Sequence, residues 1–186
     1  MHFLRSEKGQ ESAVFELLIA VIIMTFVIVI GFNALDKLND NVCKGQMNQT
    51  LERIRTTLEE VVNTKNKANV SYELPVCFAQ NQSTLKIVVS DSQQQCSAQC
   101  GGSISHCMLL IFSSPSYTES KCLRISSVTN FPEGDPCDAK ILEPSDGYTL
   151  VNWQSEQGIT PGTYALFEVT SLSNSGPPQI CAFRRK

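Results

Sequence analysis

A long apolar run lies near the start of the chain. Across residues 13–34 the one charged side chain is Glu16, and across residues 17–32 only Thr25 and Gly31 interrupt the hydrophobic residues. About 20 residues of helix cross a hydrocarbon core about 30 Å thick. The pattern therefore predicts a transmembrane helix, which we place at residues 10–34.

A helical spacing of three or four residues continues beyond the apolar run. Two series of apolar residues keep it: Leu35, Leu38 and Val42, and then Met47, Leu51, Ile54, Leu58 and Val61. The two series are out of phase around Gly45, so we expect a kink or partial unwinding near residues 43–46. One nearly continuous helix is predicted to end at about Thr64, and the apolar stripe of its outer half needs a covering layer.

Short runs of β-branched and aromatic residues follow Pro75. They are separated by turns rich in Gly and Pro, and they lie at residues 85–89, 108–112, 123–125, 148–151, 163–169 and 180–183. Short strands joined by short turns favour a mainly antiparallel sheet with one face on the helix. The predicted fold class is α+β: a long N-terminal helix packed on a C-terminal, mainly antiparallel, disulfide-rich β domain.

Two further patterns concern the packing and the surface of this β domain. Its large aromatic side chains are expected to pack the sheet against the helix; they are Tyr148, Trp153, Tyr164 and Phe167. Residues 92–118 carry no Asp, Glu, Lys or Arg and are rich in Ser and Gln. Apart from the strand at 108–112, we interpret this segment as a disulfide-tied coil that includes a loop suited to act as a contact surface.

The cysteines indicate the compartment. All eight lie after the apolar run: Cys43, Cys77, Cys96, Cys100, Cys107, Cys122, Cys137 and Cys181. An even set spread through a small domain is typical of a disulfide framework formed in an oxidising compartment. The alternative is a zinc site that uses Cys96 and Cys100, whose spacing places both on one face of a helix. The eight residues allow about 105 connectivities, so the pairing stays open.

Composition argues against catalysis and against nucleic-acid binding. The 186 residues carry 15 Lys and Arg and 18 Asp and Glu, a formal net charge of −3, with no basic patch of the kind that binds phosphate. His2 and His106 are the only histidines, and motifs such as G-x-S-x-G and H-E-x-x-H are missing. We therefore expect no enzyme, no catalytic residue, no metal ligand, no cofactor and no nucleic-acid partner.

The predicted orientation places the N-terminus in the cytoplasm. Basic residues flank both ends of the apolar run, so the charge rule decides little, but disulfides require that the C-terminal domain lie outside. Three Asn-x-Ser/Thr triplets lie on the predicted outer side, which makes Asn48, Asn69 and Asn81 candidate glycosylation sites. The expected location is the cell membrane, with one span and an extracytoplasmic domain.

A polar motif stands directly before the apolar run. Lys8 and Gly9 precede Gln10, and Ser12 and Phe15 follow. In this arrangement the chain resembles archaeal type IV pilin-like proteins with a class III (prepilin-type) signal peptide. The resemblance implies a cut between Gly9 and Gln10 by a membrane-embedded prepilin peptidase on the cytoplasmic side, after which the apolar helix is retained.

One position departs from this family pattern. The fifth residue after the cut is usually Glu in the family, where it neutralises the new amine of a neighbouring subunit during assembly. This chain has Val14 there, and Glu16 stands two residues later. The two positions are about 200° apart around a helix. A carboxylate at the membrane edge needs a partner or access to water, so Glu16 is a candidate for a specific contact.

These observations predict a domain organisation and two competing functions. The expected parts are a leader at 1–9, a transmembrane helix at 10–34, an extracytoplasmic helix at 35–66 and a β-rich, disulfide-tied ectodomain at 67–186. The first function is a membrane-anchored, pilin-like surface protein with a structural or adhesive role, assembled with copies of itself or with other pilin-like subunits. The alternative is a single-pass membrane protein that carries a binding domain and never polymerises.

Overall fold

The computed structural model describes residues 8–134, 137, 147–169 and 177–186, with the backbone alone described for residues 8–14. Two helices and seven strands follow one another in these ranges: α1 (Lys8–Thr64), β1 (Ala68–Tyr72), β2 (Thr84–Ser90), α2 (Gln93–Cys100), β3 (Cys107–Ser113), β4 (Thr118–Leu123), β5 (Tyr148–Val151), β6 (Gly162–Val169) and β7 (Gln179–Arg185). The backbone of α1 is helical at residues 43–46. Of the two alternatives expected there, the partial unwinding is therefore wrong, and the kink stays a prediction.

The chain divides into two compact units, Met1–Val42 and Cys43–Lys186. In the first unit every described side chain, from Phe15 onwards, is exposed. The apolar part of α1 is long and hydrophobic enough to cross a membrane by length and composition. This finding agrees with the predicted membrane helix.

The core of the second unit forms around α1. Five side chains on one face of the helix have no exposed surface: Met47, Leu51, Ile54, Leu58 and Val61. They share one hydrophobic cluster with side chains from two sheets. One sheet has the order β1-β6-β7-β5 and the other the order β2-β3-β4, and all strand pairs in both are antiparallel. The fold is therefore the predicted α+β arrangement, with the helical stripe covered by antiparallel sheets.

Strand alternation divides the aromatic residues between two clusters. Trp153 and Tyr164 belong to the cluster around α1, and their rings meet edge to face with centroids 5.1 Å apart. Tyr148 and Phe167 pack instead in a second cluster with Phe183. Because successive side chains on a strand point to opposite faces, Phe167 lies on the other face of β6 from Tyr164. The expectation that all these aromatic residues pack against the helix is therefore wrong for Tyr148 and Phe167.

Two elements are additional to the predicted set. Strand β1 pairs with β6 at one edge of the four-stranded sheet. Helix α2 lies within the segment that was expected to be mainly coil. The strand predicted at 123–125 is also displaced, because β4 ends at Leu123.

All eight cysteines are disulfide-bonded, so the framework is confirmed and the zinc alternative is wrong. The pairs are Cys43–Cys77, Cys96–Cys107, Cys100–Cys122 and Cys137–Cys181. The first ties α1 to the loop after β1. The second and third tie α2 to β3 and β4, and the fourth ties residue 137 to β7. Each sheet is thus crosslinked to a neighbouring segment.

A backbone contact at Gly158 joins the loop after β5 to the edge of β2. The Ile159 N–H donates a hydrogen bond to the Leu85 carbonyl oxygen at 2.6 Å. Gly158 has φ +73°, and a Cβ at this position would lie 2.5 Å from the same oxygen. Glycine is therefore required here both for its backbone conformation and for the close approach.

Candidate functional site

The residues predicted for processing and assembly lie at the start of α1. Gly9, Gln10 and Val14 are within the helical backbone, and residues 1–7 of the predicted leader lie outside the described residues. At 100° per residue, positions 14 and 16 are about 200° apart around this helix. Val14 and Glu16 therefore occupy different faces of α1.

Glu16 is exposed among apolar neighbours. Phe15 and Leu17 on either side of it are 63% and 68% exposed. If this part of α1 is in a bilayer, the carboxylate must reach water at the interface or meet a polar partner. Glu16 is thus a residue whose chemistry calls for a polar partner or for water.

The three predicted glycosylation sites are all accessible. Asn48 lies on α1, Asn69 on β1 and Asn81 in a turn before β2, and each side chain is exposed. These positions are spread over separate elements and do not form a single site. Glycosylation at these residues stays a prediction.

A compact surface feature is built from α2 and the segment that follows it. We call residues 91–106 the polar knob. Residues 91–95 and 101–106 are exposed without exception. The inner side of the knob is apolar, because Cys96 and Cys107 are buried in a cluster with Leu109 on β3. The knob therefore sits on the face of the three-stranded sheet that is turned away from the α1 core.

Caps and side-chain hydrogen bonds hold α2 in its helical form. The Ser92 hydroxyl accepts from the Gln95 N–H at the N-terminus, as an N-cap residue does. At the C-terminus the Gly101 N–H donates to the Ser97 carbonyl. The Gln93 side-chain amide donates to the Ser103 hydroxyl at 3.1 Å. An eight-residue helix is marginal on its own, and these contacts together with two disulfides fix it.

The polar knob is almost free of charge. Its only ionisable groups are Asp91 and His106, at its two ends in sequence, and their side chains meet at 2.8 Å between Asp91 Oδ1 and His106 Nδ1. Both side chains are exposed, so an ion pair between them is of little energetic value. Apart from this pair, the polar side chains that the knob presents to solvent carry amide and hydroxyl groups.

A cleft of about 460 Å³ lies elsewhere on the second unit, beside β5 and the loop that follows it. Glu133, Glu156 and Arg184 are among the residues that line it. None of the described lining residues is His, Cys or Lys. The cleft has the size of a small-molecule site.

The perturbed pKa values belong to tyrosines that pack the core and not to a reactive cluster. Burial, and to a smaller extent Tyr164, raises the pKa of Tyr72 to about 12. Burial followed by the hydrogen bond to Glu119 raises the pKa of Tyr117 to about 12. Burial also raises the pKa of Tyr164. These shifts keep the phenols protonated at neutral pH, so they do not prepare a general base.

Sequence reasoning identified the neutral segment of the polar knob but missed its helix. The spacing of Cys96 and Cys100, four residues apart, was the available signal, because residues i and i+4 share one helical face. Both sulfurs indeed face the sheet, where each meets a strand cysteine.

Comparisons of the chain with protein-family models, with curated proteins and with solved structures find no match.

Proposed function

We propose that this chain is a pilin-like surface protein, anchored in the membrane by a retained N-terminal helix and assembled with copies of itself. The observation that carries the proposal is the exposed apolar surface of α1 in the first unit. It extends through Leu35, Leu38 and Val42, which are 56%, 58% and 59% exposed. A span needs only about 20 residues, so this apolar surface outruns one bilayer. Packing against the same helix of another copy would bury it.

The disulfides support the orientation. Eight paired cysteines in Cys43–Lys186 are stable in an oxidising compartment. This supports the proposed orientation, with the second unit outside the cell and the start of the chain inside, where a prepilin peptidase would cut between Gly9 and Gln10. An exposed, disulfide-tied domain suits a structural or adhesive role on the surface.

A specific observation favours the alternative. Val14 stands where the resembled family has its assembly carboxylate, and Glu16 is on a different face of the helix. If no subunit contact uses Glu16, the chain is a single-pass membrane protein with an extracytoplasmic binding domain. The two functions share the anchor and the orientation, and they differ in whether α1 meets copies of itself.

N-terminal sequencing of the membrane-bound protein tests processing. We expect the mature chain to begin at Gln10, and we expect Gly9→Leu to keep the leader. A wild-type chain that keeps its leader would overturn the pilin-like function, and a chain that loses the apolar run would overturn both functions. The unprocessed Gly9→Leu chain is the internal reference for the mass of the leader.

Shearing cells and sedimenting surface filaments tests assembly. We expect the protein in the filament fraction, and we expect Leu38→Asp to remove it because a carboxylate would enter the buried stripe. Asn41→Asp is the matched control: it places the same carboxylate at a position 60° or more around the helix from each of Leu35, Leu38 and Val42. Absence of wild-type protein from sheared filaments, with the Gln10 terminus intact, would select the non-polymerising alternative.

A further inference from the structure

We propose that the polar knob binds the neutral, hydroxyl-rich surface of a polysaccharide. The inference rests on the proposed surface location and gives its adhesive role a partner class. Three properties of the knob carry it: the near absence of charge, the absence of protein-type anchor residues, and an array of amide and hydroxyl groups on a fixed backbone.

The charge pattern disfavours an anionic partner. Residues 92–118 hold no Asp, Glu, Lys or Arg, whereas the whole chain is 18% charged. If charged residues were spread evenly at 18%, the 27 residues of this segment would include about five of them. In soluble proteins the charged fraction is commonly higher, at about 25%. Phosphate, sulfate and carboxylate groups are recognised by Arg and Lys. A surface without Arg and Lys lacks the groups that recognise such anions, and the one carboxylate of the knob, on Asp91, is engaged by His106 at 2.8 Å. An uncharged partner suits this surface best.

The residue types also argue against a protein partner. The residues that carry protein–protein binding energy are chiefly Trp, Tyr and Arg in desolvated pockets. The polar knob has none of these. Its one exposed large hydrophobic residue is Ile104, which is 39% exposed. The knob thus lacks the anchors from which a stable protein interface is built.

Amide and hydroxyl groups match the hydroxyls of a neutral sugar. A glutamine side chain offers two N–H donors and one carbonyl acceptor, and a serine hydroxyl offers both roles. Gln94 and Gln99 are exposed on α2, and Ser105 is exposed in the segment that follows. Adjacent sugar hydroxyls can both donate hydrogen bonds to such groups and accept hydrogen bonds from them. No charged side chain has to lose its hydration when they bind.

The backbone that carries the array is fixed before it meets a partner. Cys96–Cys107 and Cys100–Cys122 tie α2 to two strands. The Ser90 hydroxyl donates to the Gln95 side-chain carbonyl at 2.9 Å, which holds the start of the helix. Ordering flexible groups costs free energy on binding, and prior fixing removes much of that cost.

Binding of the full chain to immobilised polysaccharides tests the proposal. The protein is held in phosphatidylcholine nanodiscs, because sugar-based detergents would compete. The probes are neutral dextran, mannan and galactan, with anionic alginate and heparin as charged counterparts. We expect binding to at least one neutral polymer and none to the charged ones. The variant Gln94→Ala/Gln99→Ala is expected to weaken that binding at least tenfold, with its thermal unfolding unchanged.

The matched control is Gln80→Ala/Gln157→Ala, which truncates two exposed glutamines outside the knob and should bind as wild type does. Binding to none of the neutral polymers, preference for alginate or heparin, or equal binding by both double variants would overturn the proposal. A loss of filaments or of self-association in the knob variant would assign the surface to a second copy instead. The Gln10 terminus and the filament fraction are read separately, so failure of the knob proposal leaves the proposed function standing.

Discussion

Gly158 shows how a single residue decides whether two segments can meet. Its φ is +73° and a Cβ would lie 2.5 Å from the Leu85 oxygen, the acceptor of the Ile159 hydrogen bond. We expect Gly158→Ala to reduce the free energy of unfolding by about 2–4 kcal/mol, since strain in the left-handed region and displacement of a buried contact add. Chemical denaturation followed by the fluorescence of Trp153, the sole tryptophan, measures this.

Substitutions of two other glycines separate the two contributions to that loss, backbone strain and the close contact with Leu85. Gly101 has φ +76° and ψ 160° with open space around its Cβ position, so Gly101→Ala should cost only the conformational part, about 1–3 kcal/mol. Gly45 lies in α1 with open space, and Gly45→Ala should stabilise by about 0.5–1 kcal/mol. Equal losses at positions 158 and 101 would show that the close approach to Leu85 contributes nothing.

Tyr72 makes stability depend on alkaline pH. Its side chain is 2% exposed, and burial raises its pKa to about 12 from the ordinary 10. Because the folded-state pKa is above the unfolded one, the associated stability is fully present below pH 10. It is lost as the pH rises from 10 towards 12, at up to about 1.4 kcal/mol per pH unit.

Urea unfolding at intervals from pH 9 to pH 11.5 measures this dependence. The variant Tyr72→Phe cannot ionise at this position, so its stability should fall less steeply with pH than that of the wild type. Comparison at pH 9 corrects for any packing change caused by loss of the hydroxyl. Parallel curves for the two proteins above pH 10 would rule out Tyr72 as the source.

At the scale of elements, α1 presents two apolar series with opposite fates. Leu58 is fully buried in the second unit, and Leu38 is 58% exposed in the first. Leu58→Ala is expected to cost 2–5 kcal/mol through lost burial and a residual cavity. Leu38→Ala should change stability by less than about 0.5 kcal/mol. Denaturation of the full chain in nanodiscs, again followed through Trp153, compares them directly. A large loss of stability in Leu38→Ala would show that the Leu38 side chain is buried, and not exposed, in the protein under these conditions.

These elements also show what the amino-acid pattern could and could not predict. The stripe from Met47 to Val61 and most strands carry strong periodicity, so helix, sheets and class follow from the chain. Helix α2 has no apolar period, because its sequence is QQQCSAQC and its stability comes from caps and crosslinks. Strand β1 alternates Ala68, Val70 and Tyr72 but is short and interrupted by Asn and Ser.

The candidate site was less predictable than the fold for a physical reason. Absence of charge in residues 92–118 is visible in the chain, yet it says nothing of shape. The polar knob exists because the four cysteines 96, 100, 107 and 122 pair across α2, β3 and β4. Their connectivity depends on which strands are neighbours, and that is a property of the whole sheet. The amino-acid composition therefore predicted the chemistry of this surface, but it did not predict its shape.

At the scale of the whole molecule, Glu16 links the proposed anchor to assembly. Its carboxylate is exposed on a helix whose neighbouring side chains are apolar. If copies assemble, the cost of holding this charge at the membrane edge is offset by a polar partner on a neighbouring chain. Glu16→Gln preserves size and removes the charge. We expect the variant to reach the membrane and to begin at Gln10, as the wild type does, while its filament yield falls at least tenfold.

A second variant tests whether the charge must occupy that face. Val14→Glu/Glu16→Gln moves the carboxylate by about 200° around α1, to the fifth position after the proposed cut. If only charge at the membrane edge matters, this double variant recovers filament yield; if the contact is specific to the Glu16 face, it does not. Sheared filaments are quantified by immunoblot against membrane-bound protein from the same cells. Wild-type filament yield from Glu16→Gln would show that Glu16 merely reaches water at the interface, and the subunit contact would then rest on the exposed stripe around Leu38 alone.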